Sequence, residues 1–281
     1  MIFAINYLSF GKGYYSFSPE PEYQLVLDKA VSLGYGLPTN QEMFFQNEMV
    51  KALKTSGVWA RLDQLYNWYH SAGFGFSSIN WIHPNFTLTR NLSLISSFIP
   101  KEGARIAGNT GTYFTGTYNP QTEAGHFQLG DASFGWVNGQ TSNIDGSNTM
   151  VDTSSSGQTR FRQHADSNRG RQYFQQGQGY TSTLMSPAAL LNKTNAFYIT
   201  TRTVSNNKIF QNGTKVRDGS ITYLGSAGVT ASTNVNYTFN FGTKMSANQL
   251  ETLRMAFTGG NLTETQCTDF NTIWFNYVNS I

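Results

Sequence analysis

The chain has 281 residues, which is enough for one large β domain with a smaller element attached. Charged residues make up 12% of it, and the net charge of +3 is too small to predict nucleic-acid binding by bulk electrostatics. The single cysteine, Cys267, excludes a disulfide within the chain, and no segment has the ~20 consecutive apolar residues that span a bilayer.

Residues 1–20 predict an aromatic N-terminal arm without a helical period. A free tail with so many rings would expose apolar surface, so we expect the arm to be buried. It forms either a first strand or an assembly contact with a neighbouring subunit. The candidate assembly residues are Tyr7, Phe10, Tyr14, Tyr15 and Phe17.

Residues 21–76 predict a helical subdomain of three short helices. In the first, apolar residues at i, i+3, i+4, i+7 and i+8 from Tyr23 form one stripe. In the second, Thr39 and Glu42 have the spacing of a capping box. Three short helices are too few to be stable alone, so we expect them to pack on the rest of the chain. The predicted helices run from Pro21 to Gly34, from Thr39 to Gly57 and from Val58 to about His70.

From about Ser77 the apolar residues alternate, which predicts β-strands. Strand spacing and chain length together indicate about a dozen strands. Asn138-Gly139, Asn206-Asn207 and Asn212-Gly213 predict tight turns. The predicted strands cover residues 80–89, 113–120, 126–137, 197–202, 208–211 and 237–241.

The end of the chain is predicted to be helical again. Ser246 with Gln249, and Thr263 with Gln266, have capping-box spacing. Apolar stripes follow each box, and Gly259-Gly260 separates the two predicted helices. Residues 77–281 are therefore predicted to form one mostly β domain that ends in helices at 246–281.

Residues Ala196–Val216 resemble part of the concanavalin A-like and laminin-G-like domains. In that superfamily a strand ends in an Arg-Thr pair, and a hairpin leads to a lysine-bearing strand closed by Asn-Gly. The chain from Phe239 to Leu253 is similar to the closing strand and short helix of those domains. The resemblance covers about residues 78–257 and implies a jelly-roll β-sandwich. The matching residues are Arg202-Thr203, Lys208 and Asn212-Gly213.

The front of the chain resembles virion proteins of tailed bacteriophages, in which a helical segment precedes a laminin-G-like domain. This resemblance implies a virion structural protein of the tail, a fibre or the capsid surface, made in the host cytoplasm. Its partners would be other virion proteins, copies of itself and a host-surface glycan. The matching residues are Leu27-Asp28, Gly34-Tyr35, Pro38, Gly57-Val58-Trp59, Leu62-Asp63, Asn80-Trp81 and Asn119-Pro120.

The ionisable residues do not predict catalysis. Many glycanases of the superfamily place carboxylates at alternate positions of one strand, and no Glu-x-Asp-x-Glu strand occurs here. The four histidines have no metal-ligand spacing, and no Asp-rich loop requires calcium. We therefore expect no enzymatic activity, no metal and no cofactor, with a glycan-degrading enzyme as the disfavoured alternative. His83 and Cys267 are expected to be packing residues.

The candidate binding segment is residues 158–180. Arg160, Arg162 and His164 are two residues apart, so a strand would place them on one face. Arginines beside tyrosines suit an acidic polysaccharide, and they equally suit a subunit interface or an ordinary polar sheet face. A carbohydrate-binding adhesin and a virion structural protein therefore both remain open. The further candidate residues are Arg169, Arg171, Tyr173 and Tyr180.

Overall fold

Fifteen β-strands and four α-helices form the part of the chain that the structure, a computed structural model, describes. Every strand pair among these residues is antiparallel, so the chain is mostly β, as predicted. The described residues are 17–90, 95–107, 112–120, 122–123, 125–128, 130–141, 149–153, 159–162, 171–174, 182–184, 195–203, 206–220, 238–243 and 250–281.

Local capping sets the starts of two of the longer helices. The hydroxyl of Thr39 accepts a hydrogen bond from the Glu42 amide, and the Glu42 carboxylate accepts one from the Thr39 amide. Thr263 and Gln266 form the same box. The predicted first, second and last helices are confirmed. The helices are α1 (Pro21–Ser32), α2 (Asn40–Thr55), the short α3 (Phe74–Ser77) and α4 (Glu264–Ser280). None of these described helices is long and apolar enough to cross a membrane.

The strands form two sheets. In chain order they are β1 (Leu62–Asn67), β2 (Thr89–Arg90), β3 (Ile95–Ile99), β4 (Gly103–Ala107), β5 (Thr112–Thr115), β6 (Asp131–Thr141), β7 (Thr149–Thr153), β8 (Thr159–Arg162), β9 (Arg171–Phe174), β10 (Ser182–Leu184), β11 (Phe197–Thr203), β12 (Asn206–Gln211), β13 (Thr214–Ser220), β14 (Phe239–Thr243) and β15 (Leu250–Gly259). The first sheet has the order β13-β12-β11-β6-β15-β4-β3, with β1 also paired to β15. The second has the order β10-β9-β8-β7-β14-β5-β2.

The central strands of the first sheet are buried on both faces, which gives the molecule three layers. On β11, Tyr198 lies in a core shared with Phe239 and Phe241 of the second sheet. Its neighbours Phe197 and Ile199 lie in a separate core shared with the helices. Because successive strand residues point to opposite faces, the first sheet separates these two cores. This placement explains why β1 and β11 are buried almost throughout.

The predicted third helix is wrong. After a 3-10 turn at Trp59–Arg61 the chain forms β1, which pairs with β15. Leu62, Leu65 and Tyr66, which favoured a helix there, are buried, and Tyr69 is partly buried. A short run that is buried on both faces has the same apolar content in a strand as in a helix, so periodicity alone cannot distinguish them.

The predicted helix that follows Ser246 is also wrong over Leu250–Gly259, which is strand β15. This strand pairs with β1, β4 and β6, and Leu253 and Phe257 fall in different cores. Pairing at the centre of the sheet therefore overrides the local helical pattern. The predicted cap residues Ser246 and Gln249 lie outside the described residues.

Only one of the three predicted tight turns is confirmed. Asn212-Gly213 joins β12 to β13, and both residues have the positive φ that such a turn needs. Asn138-Gly139 instead lies inside β6. Asn206-Asn207 begins β12, so the reversal from β11 to β12 precedes the predicted dipeptide. The dipeptide signal is local, whereas neighbouring strands decide whether the chain turns or continues.

Some predicted strand boundaries also differ from the structure. Residues 80–88 contain no regular strand; the chain there has a single bridge between Ile79 and Thr87 before β2 begins. β5 ends at Thr115, and β6 begins at Asp131 rather than near residue 126. The residues between these strands form loops. The predicted division into arm, helical subdomain and sandwich remains a prediction.

Candidate functional site

The candidate binding segment, residues 158–180, contributes the neighbouring strands β8 and β9 of the second sheet. The register places Arg160 opposite Tyr173 and Arg162 opposite Arg171. The backbone thus brings together four of the seven residues that the sequence singled out. The other three, His164, Arg169 and Tyr180, lie outside the described residues.

The aromatic arm is described only from Phe17 onward. The Phe17 ring is half-buried and meets Phe44 of α2 edge-on, with ring centroids 6.0 Å apart. This residue therefore packs within its own chain. The other arm candidates, Tyr7, Phe10, Tyr14 and Tyr15, lie outside the described residues, and their role in assembly remains a prediction.

A second group of polar and aromatic residues comes together from two loops that the sequence analysis did not connect. We call it the loop surface and define it as His83, Asn85, Phe86, Glu123 and His126. Asn85, Glu123 and His126 are exposed, and the rings of His83 and Phe86 are half-exposed. The first three residues lie between Ile79 and β2, and the last two lie between β5 and β6.

Asp63 anchors the second of these loops from below. A bulge in β1 occurs at this residue, and its side chain is buried, with 1% of the residue exposed. One carboxylate oxygen accepts the His126 amide and the other accepts the Phe127 amide, each at 2.7 Å. Burial raises the pKa of Asp63, while these two N–H donors and the nearby His126 and His83 oppose that rise. With both oxygens engaged, Asp63 is placed to hold the loop rather than to act as a base.

Asn80 anchors the first loop to the same strand. Its side-chain oxygen accepts the amides of Leu65 and Ile82 at 3.2 and 3.0 Å. Its side-chain nitrogen donates to the backbone carbonyl of Asp63 at 3.1 Å. Neighbouring residues of β1 therefore fix both loops, which sets the distance between the two halves of the loop surface.

The two rings of the loop surface both pack against Tyr118. His83 lies parallel to Tyr118, with centroids 4.9 Å apart and planes at 10°, and Phe86 meets Tyr118 edge-on at 5.2 Å. Burial lowers the pKa of His83, opposed by the carboxylates of Asp63 and Glu123, so the imidazole is neutral near pH 7. Burial likewise raises the pKa of Tyr118.

Gly125 allows the second loop to close over Tyr118. A Cβ atom at this position would lie 2.7 Å from the Tyr118 hydroxyl oxygen and 2.8 Å from Cβ of Pro120. Any other residue would therefore push the loop away from the ring. The Gly125 amide instead donates to the Pro120 carbonyl at 2.7 Å.

From the sequence we expected a packing role for His83, and its stack on Tyr118 agrees with that role. Glu123 and His126 were not predicted as site residues, because no spacing relates positions 63, 83 and 126 in the chain. The only available signal was the cluster of rings and polar residues in His83–Phe86 beside a proline.

A serine of α3 and a histidine between β1 and α3 approach each other, but their hydrogen bonds do not suit nucleophilic catalysis. His70 Nε2 lies 2.9 Å from Ser77 Oγ, while His70 Nδ1 accepts the Ala72 amide at 3.0 Å. An acceptor at Nδ1 assigns the proton to Nε2, which then cannot take a proton from Ser77. Both residues are fully buried, so substrate could not reach them.

The single cysteine likewise has a structural role. Cys267 is fully buried in the helix-side core, and burial raises the pKa of its thiol, which confirms the predicted packing role. Among the residues that the structure describes, no three His, Cys, Asp or Glu side chains are grouped to hold a metal ion.

Neither protein-family models nor curated proteins match this sequence. Solved structures do match its fold. The botulinum neurotoxin serotype D binding domain superposes with a TM-score of 0.57 at 11% identity, over 76% of this chain and 51% of that domain. The receptor-binding domain of a botulinum neurotoxin C/D mosaic gives a TM-score of 0.53 at 10% identity, with the same coverage.

A further match is a botulinum neurotoxin type C structure, described as interacting with two ganglioside molecules. Its TM-score is 0.50 at 14% identity, over 78% of this chain and 53% of that one. The present chain thus spans about half the length of the neurotoxin structures it matches. At these identities the likeness concerns the fold alone, and the chain shares with these binding domains a mostly β, antiparallel sandwich architecture.

Proposed function

We propose that this chain is a non-catalytic attachment domain that binds acidic glycans at the paired arginines of β8 and β9. The observation that carries the proposal is the register in which Arg162 stands directly opposite Arg171. Like charges at opposed positions of an antiparallel ladder destabilise it by roughly 0.2–1 kcal/mol. A bound anion would offset that cost.

The local balance of charge supports an anionic ligand. β8, β9 and β10 contain no aspartate or glutamate, and β7 supplies a single carboxylate, Asp152. Three arginines on β8 and β9 therefore outnumber the acidic residues of the neighbouring strands. Tyr173, opposite Arg160, adds a ring of the kind on which sugars stack. Guanidinium groups bind carboxylate and sulfate groups through two parallel hydrogen bonds.

The structural neighbours support the same class of function. They are named as binding or receptor-binding domains, and one is described as interacting with gangliosides. Because unrelated functions share folds, this likeness adds to the argument from the arginines and does not replace it. The location we propose, on the surface of a bacteriophage particle, rests on the resemblance of the front of the chain.

The double variant Arg160→Gln/Arg162→Gln is expected to bind acidic polysaccharide at least about tenfold more weakly, because charge-assisted hydrogen bonds contribute about 1.5–3 kcal/mol each. Calorimetric titration with polysialic acid measures the change, and dextran serves as the uncharged ligand. The control variant Lys29→Gln/Lys51→Gln removes the same charge from the helical layer. Equal weakening by both double variants would show non-specific attraction and contradict the proposal.

Self-assembly is the second candidate function, and exposed apolar residues favour it. Leu25 and Val31 of α1 are 57% and 63% exposed, and Leu33 and Leu37 follow at about 40%. These four residues lie within 13 consecutive positions, and exposed apolar patches are typical of protein–protein contact surfaces. In this proposal the partners are copies of the chain and other virion proteins.

The variant Leu25→Glu/Val31→Glu is expected to shift a defined oligomer to monomer in light scattering, because it places charges in an apolar contact. The control Gln24→Glu/Ser32→Glu adds the same charge at polar positions of α1 and should leave the oligomer intact. A wild-type protein that is monomeric at all concentrations would refute self-assembly through α1.

A further inference from the structure

We infer that the loop surface is a second binding site and that it takes an uncharged sugar residue. It shares no residue with the arginine pairs of β8 and β9, and it joins rings, hydrogen-bonding groups and a fixed backbone. The inference goes beyond the proposed function, because it assigns a different site and a ligand of different charge.

The rings provide a platform for the apolar face of a sugar. His83 and Phe86 are half-exposed, and each rests on Tyr118, which is fully buried beneath them. Tyr118 thus supports one ring face-on and the other edge-on. A rigid aromatic platform is suited to the C–H groups on one side of a pyranose, since it offers contact area without loss of side-chain freedom.

Three exposed residues provide hydrogen-bond partners around the rings. Asn85 offers an amide, His126 an imidazole and Glu123 a carboxylate. The hydroxyl of Thr122 donates to Oε1 of Glu123 at 3.2 Å, which helps to orient that carboxylate. Apolar rings with a few polar groups at their edge form the composition typical of small-molecule sites, and sugar hydroxyls can both donate to and accept from this set.

Charge decides which kind of sugar fits. The carboxylates of Asp63 and Glu123 both act on the rings of His83 and Tyr118. With His83 neutral, the loop surface offers no excess of positive charge to a sialic or uronic acid. An uncharged sugar, whose hydroxyls donate to carboxylate oxygens, meets no repulsion.

The backbone beneath the loop surface is already ordered. In addition to the bonds to Asp63, the Glu123 amide donates to the Asn119 carbonyl at 3.0 Å. The ring of Phe127 packs against Phe239 of β14, with centroids 4.8 Å apart. Because the loop is held at several points, little conformational freedom is lost when a ligand binds.

Saturation-transfer NMR on the full chain tests the inference with four probes: lactose, maltose, cellobiose and methyl α-mannoside. We expect the ring C–H protons of at least one probe to receive saturation from the wild type. Phe86→Ala and Glu123→Gln should each weaken that probe about tenfold, the effect of losing about 1.4 kcal/mol. Glu102→Gln, at an exposed glutamate between β3 and β4, is the matched control and should bind as the wild type does.

Thermal unfolding of each variant separates lost binding from lost folding, and the exposed Glu123→Gln change keeps the test valid if Phe86→Ala unfolds. Absence of saturation for all four probes would overturn the inference, as would binding that neither variant weakens. If Arg160→Gln/Arg162→Gln is the only variant that loses the sugar signal, the sugar binds at the arginines of β8 and β9. That outcome would overturn a second site and support the proposed function. If that double variant loses polysialic acid binding and keeps the sugar signal, the loop surface is the sugar site.

Discussion

Replacing Asp63 with asparagine is expected to lower the free energy of unfolding by about 3 kcal/mol, because it leaves buried polar groups without partners. The carboxylate accepts two backbone amides at 2.7 Å in a site with 1% of the residue exposed. An asparagine amide can accept only one of them, and its NH₂ group would then face the other N–H. Urea unfolding at pH 7, followed by tryptophan fluorescence, measures the loss.

The matched control for this change is Asp218→Asn. Asp218 is exposed and forms an ion pair with Lys215 at the surface, so its loss should cost at most about 1 kcal/mol. Asp63→Asn should also abolish sugar binding at the loop surface, because the loop that carries Glu123 and His126 loses its anchor. A stability within about 0.5 kcal/mol of the wild type would mean that Asp63 does not hold this loop.

Acidification is expected to destabilise the protein through His70. The side chain is fully buried, and burial lowers the pKa of His70 from 6.5 to about 4, with the Glu42 carboxylate and the Asn67 carbonyl opposing. The folded chain therefore binds this proton less readily than the unfolded chain. The resulting stability is present above pH 6.5 and is lost as the pH falls through about 4, a loss of about 3 kcal/mol.

The measurement compares wild type with His70→Gln by urea unfolding between pH 8 and pH 4. The variant is less stable at pH 7, because it loses the contacts of the imidazole with Ala72, Ser77 and Phe76. Its stability should nevertheless fall less on acidification, and the two curves should run parallel above pH 7. Equal slopes over the whole range would show that His70 does not contribute to the acid transition.

The sequence predicted correctly those elements that local interactions determine. The capping boxes at Thr39 and Thr263 each involve residues three apart, so the same hydrogen bonds are available before any tertiary contact forms. The same is true of the Asn212-Gly213 turn, whose two residues tolerate positive φ. Alternation of apolar residues was likewise sufficient to predict a mostly β chain.

The sequence did not predict β1 and β15, for a shared physical reason. Both strands lie within the first sheet and are buried on both sides, so their apolar residues follow no simple alternation. The strand β1 pairs with β15, from Leu62 opposite Gly259 to Asn67 opposite Met255. A pairing between residues nearly 200 positions apart leaves no signal in either segment alone.

The two candidate sites differ in the same way. The pairing of Arg160 with Tyr173 and of Arg162 with Arg171 joins residues of one short segment, and the sequence could suggest it because a strand-turn-strand brings near neighbours together. The loop surface depends on Asp63, whose carboxylate reaches amides 63 and 64 positions further along the chain. Composition, capping and local turns thus determined the class of fold and two of the longer helices that cover it. Only the tertiary structure decided which polar residues meet, because contacts between distant segments depend on the register and burial of strands that no local pattern specifies.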